Sequence, residues 1–256
     1  MPSHAYRHYA LLLLFFYVYP VFADNQATQI VKQAIDYWRG EESSYAVLEM
    51  TIQRPDGQRT MTLRIWTMGL ENALIYMINP NNDKYKGHAL LINNGKAWRF
   101  SPDTQQINPI SLSEMNQNWM GSDFSNNEVT KMDDLVAHYT HTLKRTETTD
   151  TGQTLYLIEA KPKPEAAIVW GKQILKIRPD QIILEQAFYD QEDVLIKKRV
   201  TSKIETIGGK AIAAVQRMQI VDSVHEWTEI VVKEAKFNIK VPRGTFSLSN
   251  LRNQRF

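Results

Sequence analysis

Leu112-Ser-Glu-Met-Asn-Gln-Asn-Trp-Met-Gly-Ser-Asp-Phe-Ser-Asn-Asn-Glu-Val-Thr130 interrupts a chain that reads as β-strand on both sides of it. The stretch has no period-2 alternation. It spaces Leu112, Met115, Trp119, Met120 and Phe124 so that a short amphipathic helix ending at Gly121 would bury one side. Gly121-Ser122-Asp123 then reads as a helix stop followed by a new cap, with glycine in the left-handed position and Asp or Ser accepting the orphan amides of the next turn. The segment is expected to cover a sheet, either as an ordinary capped connection that tucks Phe124 into the core or as a part that moves.

On the N-terminal side, residues 26–38 place Ala27, Ile30, Val31, Ala34, Ile35 and Trp38 at helical spacing, and Gly40 closes an amphipathic helix. Ala46, Leu48, Met50 and Ile52 then alternate with Val47, Glu49, Thr51 and Gln53. Pro55-Asp56-Gly57 turns this strand into Met61, Leu63 and Ile65. Residues 72–78 are apolar on both faces, 88–92 and 96–100 flank the hairpin loop Asn93-Asn94-Gly95, and 106–110 add a short strand. Past the cover, residues 132–136 read as a helical turn. Seven strands follow, at 139–146, 154–160, 168–177, 182–189, 194–205, 211–221 and 226–237. One turn about every 8–12 residues signals a mainly β, antiparallel meander closing into a barrel or sandwich. No Gly- or Ser-rich linker divides it, so a single domain is expected, with Phe246, Leu248 and Leu251 in a short C-terminal helical piece against the sheet.

The first residues stand apart from this pattern. Arg7 and His8 precede the apolar run 9–19, and Pro20-Val21-Phe22-Ala23 offers the small residues of a cleavage site before Asp24. Residues 1–23 are therefore expected to be a signal peptide and 24–256 the domain. A membrane anchor is the rival, but even residues 9–22, 14 in all, fall short of the roughly 20 that span a bilayer. With no cysteine, neither disulfides nor lipid attachment to a cysteine is available, and a soluble periplasmic chain is expected. Without Arg7 the chain carries 29 basic against 28 acidic residues, which leaves no nucleic-acid footprint. Lys197-Lys198-Arg199 and Lys161-Pro-Lys163 are flanked by acids and read as solvated strand faces.

The chemistry of an enzyme is missing from the sequence. There is no cysteine and no Gly-x-Ser-x-Gly, and after residue 23 only His88, His138, His141 and His225 remain. His138 and His141, three apart on a strand, point to opposite faces and do not chelate together. Asp133-Asp134 and Glu41-Glu42 sit where acids suit a helix start. No metal, cofactor or catalytic residue is expected.

What stands out is apolar bulk on strands that ought to have a wet face. Trp66 lies opposite Ile65, Leu74 and Tyr76 opposite Ile75 and Met77, and Trp98 and Phe100 share one face. One reading is a sheet sandwiched between core and helices. The other is a concave face for a greasy ligand, lined by Leu48, Met50, Met61, Leu63, Ile65, Ile75, Met77, Leu91, Trp98 and Phe100, where thioethers would adapt to flexible chains.

These features resemble the LolA-like, outer membrane lipoprotein-sorting superfamily of periplasmic proteins. The resemblance rests on the signal sequence, Ile78-Asn79-Pro80, residues 86–91 (Lys-Gly-His-Ala-Leu-Leu), residues 97–102 (Ala-Trp-Arg-Phe-Ser-Pro) and above all 120–125 (Met-Gly-Ser-Asp-Phe-Ser), and it extends over 24–256. It implies a half-open antiparallel β-barrel of about eleven strands with helices covering the concave side. It also implies a carrier that binds acyl chains of a lipoprotein or lipid and delivers them to a membrane acceptor, either a transporter or an outer-membrane receptor. The superfamily also includes a periplasmic sensor, so a sensing or protein-interaction module on the same scaffold is the alternative. The carrier's cavity arginine has no residue-by-residue match here, and Arg64 and Arg99 are its candidates by position on a strand. Trp119, Met120, Gly121 and Phe124 are the lid candidates, with Gly121 as hinge.

Overall fold

The computed structural model describes residues 21–39, 42–80, 85–131, 134–149, 151–166, 168–223, 225–242 and 244–253. Residues 1–20 of the segment expected to be a signal peptide, the Gly40 stop with Glu41, and Met132, Asp133 and Asp150 lie outside the described residues.

Among those residues thirteen strands form one antiparallel sheet: β1 (Ser43–Arg54), β2 (Gly57–Met68), β3 (Asn72–Pro80), β4 (Ala89–Asn93), β5 (Lys96–Ser101), β6 (Gln106–Pro109), β7 (Tyr139–Thr148), β8 (Thr154–Pro162), β9 (Lys172–Ile177), β10 (Ile183–Tyr189), β11 (Leu195–Ile207), β12 (Lys210–Ile220) and β13 (Trp227–Phe237). Their spatial order is β6-β5-β4-β3-β2-β1-β13-β12-β11-β10-β9-β8-β7. Each strand pairs with its sequence neighbours except β6 and β7, and at the centre β1 also pairs with β13 and joins the two halves. The edges, β6 and β7, do not pair, so the sheet is an open half-barrel rather than a closed barrel or sandwich. Thirteen strands replace the eleven implied by resemblance, and they follow the alternating segments of the sequence one for one.

Tight turns set the register. Asn93 pairs with Lys96 across Asn94-Gly95, and Ile207 with Lys210 across Gly208-Gly209; all four turn residues have positive φ, as two-residue hairpins require. At Gly208 a Cβ would lie 2.3 Å from the Ala235 carbonyl oxygen, so no larger residue fits. Bulges such as those at Val47/Leu48 and Thr62/Leu63 interrupt the ladders and add local bend, which helps a long sheet curl.

Both faces of β2–β5 are covered, which explains their two-sided apolar sequence. On the concave face Met50, Met61, Leu63, Ile75, Met77 and Leu90 pack together. On the convex face Leu74, Tyr76, Leu91 and Phe100 pack with Leu251 of α4 (Leu248–Asn253), flanked by Trp66, Trp98 and Phe246. The Tyr76 hydroxyl donates to the Asn250 carbonyl at 2.7 Å and the Asn93 amide to that of Phe246 at 2.8 Å. The C-terminal piece thus sits on the sheet as expected, although Leu248 itself is exposed.

The N-terminal helix α1 (Val21–Arg39) buries Ala27, Val31, Ala34 and Ile35 against β7–β9 and against α3 (Asp134–Ala137). No described helix is long and apolar enough to cross a membrane. Arg39, at its end, is buried and donates to the carbonyls of Gly69 at 3.0 Å and Asn72 at 3.2 Å. His141 on β7 is buried beneath the earlier part of α1, near Thr28. Its Nε2–H donates to the Leu135 carbonyl at 2.8 Å, and its Nδ1 stands 3.2 Å from the Thr28 hydroxyl. Both ring nitrogens serve packing, while His138 points away into solvent near Asp134.

Burial holds the pKa of His141 below its ordinary 6.5, against a smaller opposing effect of the Leu135 hydrogen bond. A base whose folded pKa is depressed stabilises the fold fully above its unfolded pKa, and that stability is lost as pH falls through the folded value. Melting temperature is therefore expected to fall as pH drops from 7.5 to 5. In His141→Gln, which has no imidazole to charge, the fall should be visibly shallower; parallel pH profiles would show that His141 does not carry this dependence.

Candidate functional site

Because β6 and β7 are consecutive in the chain but lie at opposite edges of the sheet, residues 110–138 have to cross the concave side. They do so without the helix expected over 112–121. Over 112–121 only two 3₁₀ turns form, Leu112–Glu114 and Trp119–Gly121, and the short α2 (Asn126–Thr130) and α3 follow. Leu112, expected on a buried stripe, is 79% exposed. The reason is local: Ser111 caps the first turn, its amide and hydroxyl binding Glu114 at 3.0 and 2.8 Å. With help from the Arg99 guanidinium, these bonds hold the Glu114 carboxyl down at about 2. Arg99 is thereby used on the outside of the cover, and Arg64 is exposed, so neither is a cavity arginine.

The centre of the crossing is a small hairpin. Asn118 bridges to Ser125, the Trp119 amide donates to the Phe124 carbonyl at 2.7 Å, and the Ser122 amide to the Trp119 carbonyl at 2.9 Å. Its tip, Met120-Gly121, has both residues in the left-handed region, φ 54° and 71°. Glycine is needed at 121, since that backbone is strained for other residues and a Cβ would press on Arg59 Nη2 at 3.3 Å.

Polar bonds fix this hairpin to four strands. Arg59 on β2 donates to the Met120 carbonyl at 2.6 Å and Arg54 on β1 to that of Gly121 at 2.8 Å. The buried Asp123 carboxylate receives Arg54 at 3.0 and 3.3 Å and the Thr228 hydroxyl of β13 at 2.7 Å. Lys197 on β11 donates to the Asp123 carbonyl at 2.9 Å and to Glu128 Oε2 at 2.8 Å, lying over the rings of Trp170 and Phe188. Lys197 is buried, contrary to the solvated strand face expected of the Lys197-Lys198-Arg199 run. Alternation across β11 turns Lys197 and Arg199 inward together.

Between cover and sheet lies a cavity of about 200 Å³. Of the residues expected to line it, Leu48, Leu63, Ile65 and Ile75 do, and Trp119 and Phe124 close it from the cover side. Met50, Met61 and Met77 belong to the same concave-face cluster but lie further along the strands and do not line the cavity, and Met120 packs against that cluster. Leu91, Trp98 and Phe100 do not line it. They lie on the convex face under α4, because alternation groups residues by face without saying which face is inside. The opposite wall was missed from sequence: Met218, Ile230 and Phe188 are joined there by Gln173, Gln186, Gln216 and Arg199. Gln186 donates to Gln173 at 2.5 Å and Gln173 to the Tyr139 hydroxyl at 2.6 Å. The signal available was a set of polar residues at inward positions of four neighbouring strands, β9 to β12. Among the described residues no group of three or more His, Cys, Asp or Glu is placed to hold a metal.

An open half-barrel, an apolar cavity and a crossing cover define the LolA-like fold. A DUF1329 family protein from Desulfovibrio piger superposes with a TM-score of 0.77 at 22% identity, over 90% of this chain and 99% of its own. A putative outer membrane lipoprotein-sorting protein domain from Vibrio parahaemolyticus gives 0.76 at 18% identity, with the same coverage. A LolA superfamily protein from Nitrosomonas europaea gives 0.71 at 18% identity, over 87% of this chain and 98% of its own. No curated protein matches the sequence significantly. A family model described as an uncharacterized protein matches residues 69–253, and the chain belongs to that family.

Asp123 holds the cover, so its loss should show there first. Asp123→Ala removes one partner of a largely buried charge pair and is expected to lower the unfolding free energy by about 3–5 kcal/mol. Hydrogen exchange at the amides of residues 119–125 should quicken far more than in β1 or β13, and uniform acceleration would mean that Asp123 supports the whole sheet instead.

Proposed function

We propose that residues 24–256 act, after removal of the leader, as a periplasmic carrier that shelters acyl chains of a lipid or lipoprotein in this cavity and passes them to a membrane acceptor. The observation that carries the reading is the apolar cavity held between the half-barrel and a cover whose own aromatic side chains, Trp119 and Phe124, fill part of it.

Magnitudes say how such a carrier works. Burying a 16-carbon chain at ~0.8 kcal/mol per methylene is worth roughly 12 kcal/mol, near nanomolar affinity before ordering costs, and spontaneous release would be slow. The resting cavity of about 200 Å³ is little larger than the roughly 150 Å³ that accommodates benzene in an engineered core. A long chain therefore enters only as Trp119 and Phe124 leave. Each represents about 2–3 kcal/mol of self-occupancy that competes with the ligand and lowers its net affinity to a releasable range. Gly121 and the hairpin tip are the natural pivot, and the polar hooks are what opening has to break.

The test uses an environment-sensitive dye. Wild type is expected to bind it, and Leu63→Asp to bind it more weakly, since an isolated carboxylate in an apolar wall costs several kcal/mol or is protonated. Trp119→Ala should tighten binding and slow release in stopped flow while destabilising the ligand-free protein by about 3–5 kcal/mol. Absence of dye binding by a folded wild type would remove the carrier reading, and an unchanged off-rate in Trp119→Ala would reduce the cover to core packing.

A further inference from the structure

Arg199 on β11 stands where two cavities meet. It lines the 200 Å³ cavity, and with Gln216 it also lines an adjoining one of about 50 Å³ bounded by Trp38, Gln181 and Ile183. Its Nε is buried without a hydrogen-bond partner. Among the described residues it makes no ion pair within 4.0 Å. The charge nearest in effect is Glu128, which lines the same cavity: its Oε2 is taken by Lys197 at 2.8 Å and the Ser125 amide at 3.0 Å, and its Oε1 is buried without a hydrogen-bond partner and makes no bond to Arg199. Gln186 is the cross-strand partner of Arg199 on the same wall, and Gln216 reaches Thr201 on the same strand at 3.3 Å.

A buried guanidinium without a counterion is costly, and a guanidinium stays charged in proteins. Of the other cations of this interior, Arg39 binds backbone carbonyls through its Nη2, and Lys197 binds the Asp123 carbonyl and Glu128. Arg199 has no such bond and keeps its Nε donor free at the border of an apolar chamber, and the planar fork of arginine matches a carboxylate or phosphate through two parallel bonds. The apolar wall of β1–β3 and the Gln- and Arg-bearing wall of β10–β12 make the interior amphipathic, with room for a tail on one side and a head on the other.

We propose that the ligand is a single-chain amphiphile with an ionised oxyanion head, and that Arg199 receives that head while the tail takes the apolar cavity. The inference rests on the carrier reading and specifies its cargo class. Arg199 then selects by charge: a neutral chain of equal length leaves the guanidinium buried and unpaired, an anionic one satisfies it.

The experiment is displacement of a neutral fluorescent probe, N-phenylnaphthylamine, by palmitate, by hexadecanol, by a lysophosphatidate of equal chain length, and by inorganic phosphate. In wild type an anionic amphiphile should compete roughly tenfold or more better than the alcohol, as a charged hydrogen bond implies. Palmitate against lysophosphatidate tells a carboxylate head from a phosphate one, and phosphate alone should displace nothing. Arg199→Met should erase the preference while leaving hexadecanol affinity and the circular dichroism spectrum unchanged, and Arg199→Lys should restore part of it. Equal competition by palmitate, lysophosphatidate and alcohol in wild type overturns this inference and leaves the carrier standing. Displacement by none of them fails the carrier reading itself. A melting temperature of ligand-free Arg199→Met well below wild type would assign Arg199 to balancing Glu128 and overturn the proposal from the other side.

Discussion

A sheet whose two edges are consecutive in the chain obliges that chain to cross its own mouth. β1 and β13 join the halves at the centre, so β6 and β7 end up at the far margins, and residues 110–138 can connect them only over the concave side. The cover is therefore not an appended lid but a topological necessity. What remains to be fixed is where along the mouth it sits. Asp123 does this, with Arg54, Thr228 and Lys197 drawn from β1, β13 and β11. Replacing such a polar hub by apolar side chains is often neutral for stability. What it supplies is position, because side chains held by dispersion alone can slide along a greasy wall.

The interior made in this way is two-sided. Leu48, Leu63, Ile65 and Ile75 come from the N-terminal half of the sheet, and Gln173, Gln186, Arg199 and Gln216 from the C-terminal half. Neither half alone encloses a chamber. The β1–β13 ladder is what brings the apolar wall and the polar wall face to face, and Phe124, packed on Phe188 and Met218, is the part of the cover that touches the second.

Most of the fold was legible in the sequence because alternation, Asn-Gly and Gly-Gly turns and paired apolar faces are local signals. Every strand follows from them, as do α1 and the C-terminal piece over Tyr76 and Leu91. The failures have physical causes. Apolar residues at helical spacing over 112–121 did not make a helix, because a connection that has to span the mouth is stretched, and Ser111 and Asn118 offer turns in exchange. Leu91, Trp98 and Phe100 were placed inside because period 2 sorts residues into faces but does not orient them, and in β3–β5 both faces are equally apolar. Lys197 and Arg199 were read as solvated because a basic run on a strand usually is. Only the partners across the sheet, Gln186 and Met218, and the cover above them reveal that their side of β11 is indoors.

Keeping the half-barrel open leaves two margins of unpaired backbone, and a free strand margin is a template on which another chain can grow a strand. Closure, the usual remedy, is not used here, because β6 and β7 lie at opposite margins of the sheet. The two margins are defended differently. β6 is four residues long and ends in Pro109, which has no amide to offer. β7 is ten residues long but carries Lys144, Arg145 and Glu147 along an irregular register. Resistance to fibrous self-assembly thus falls to a short, proline-ended β6 and a charged β7, in a molecule whose sheet does not seal itself.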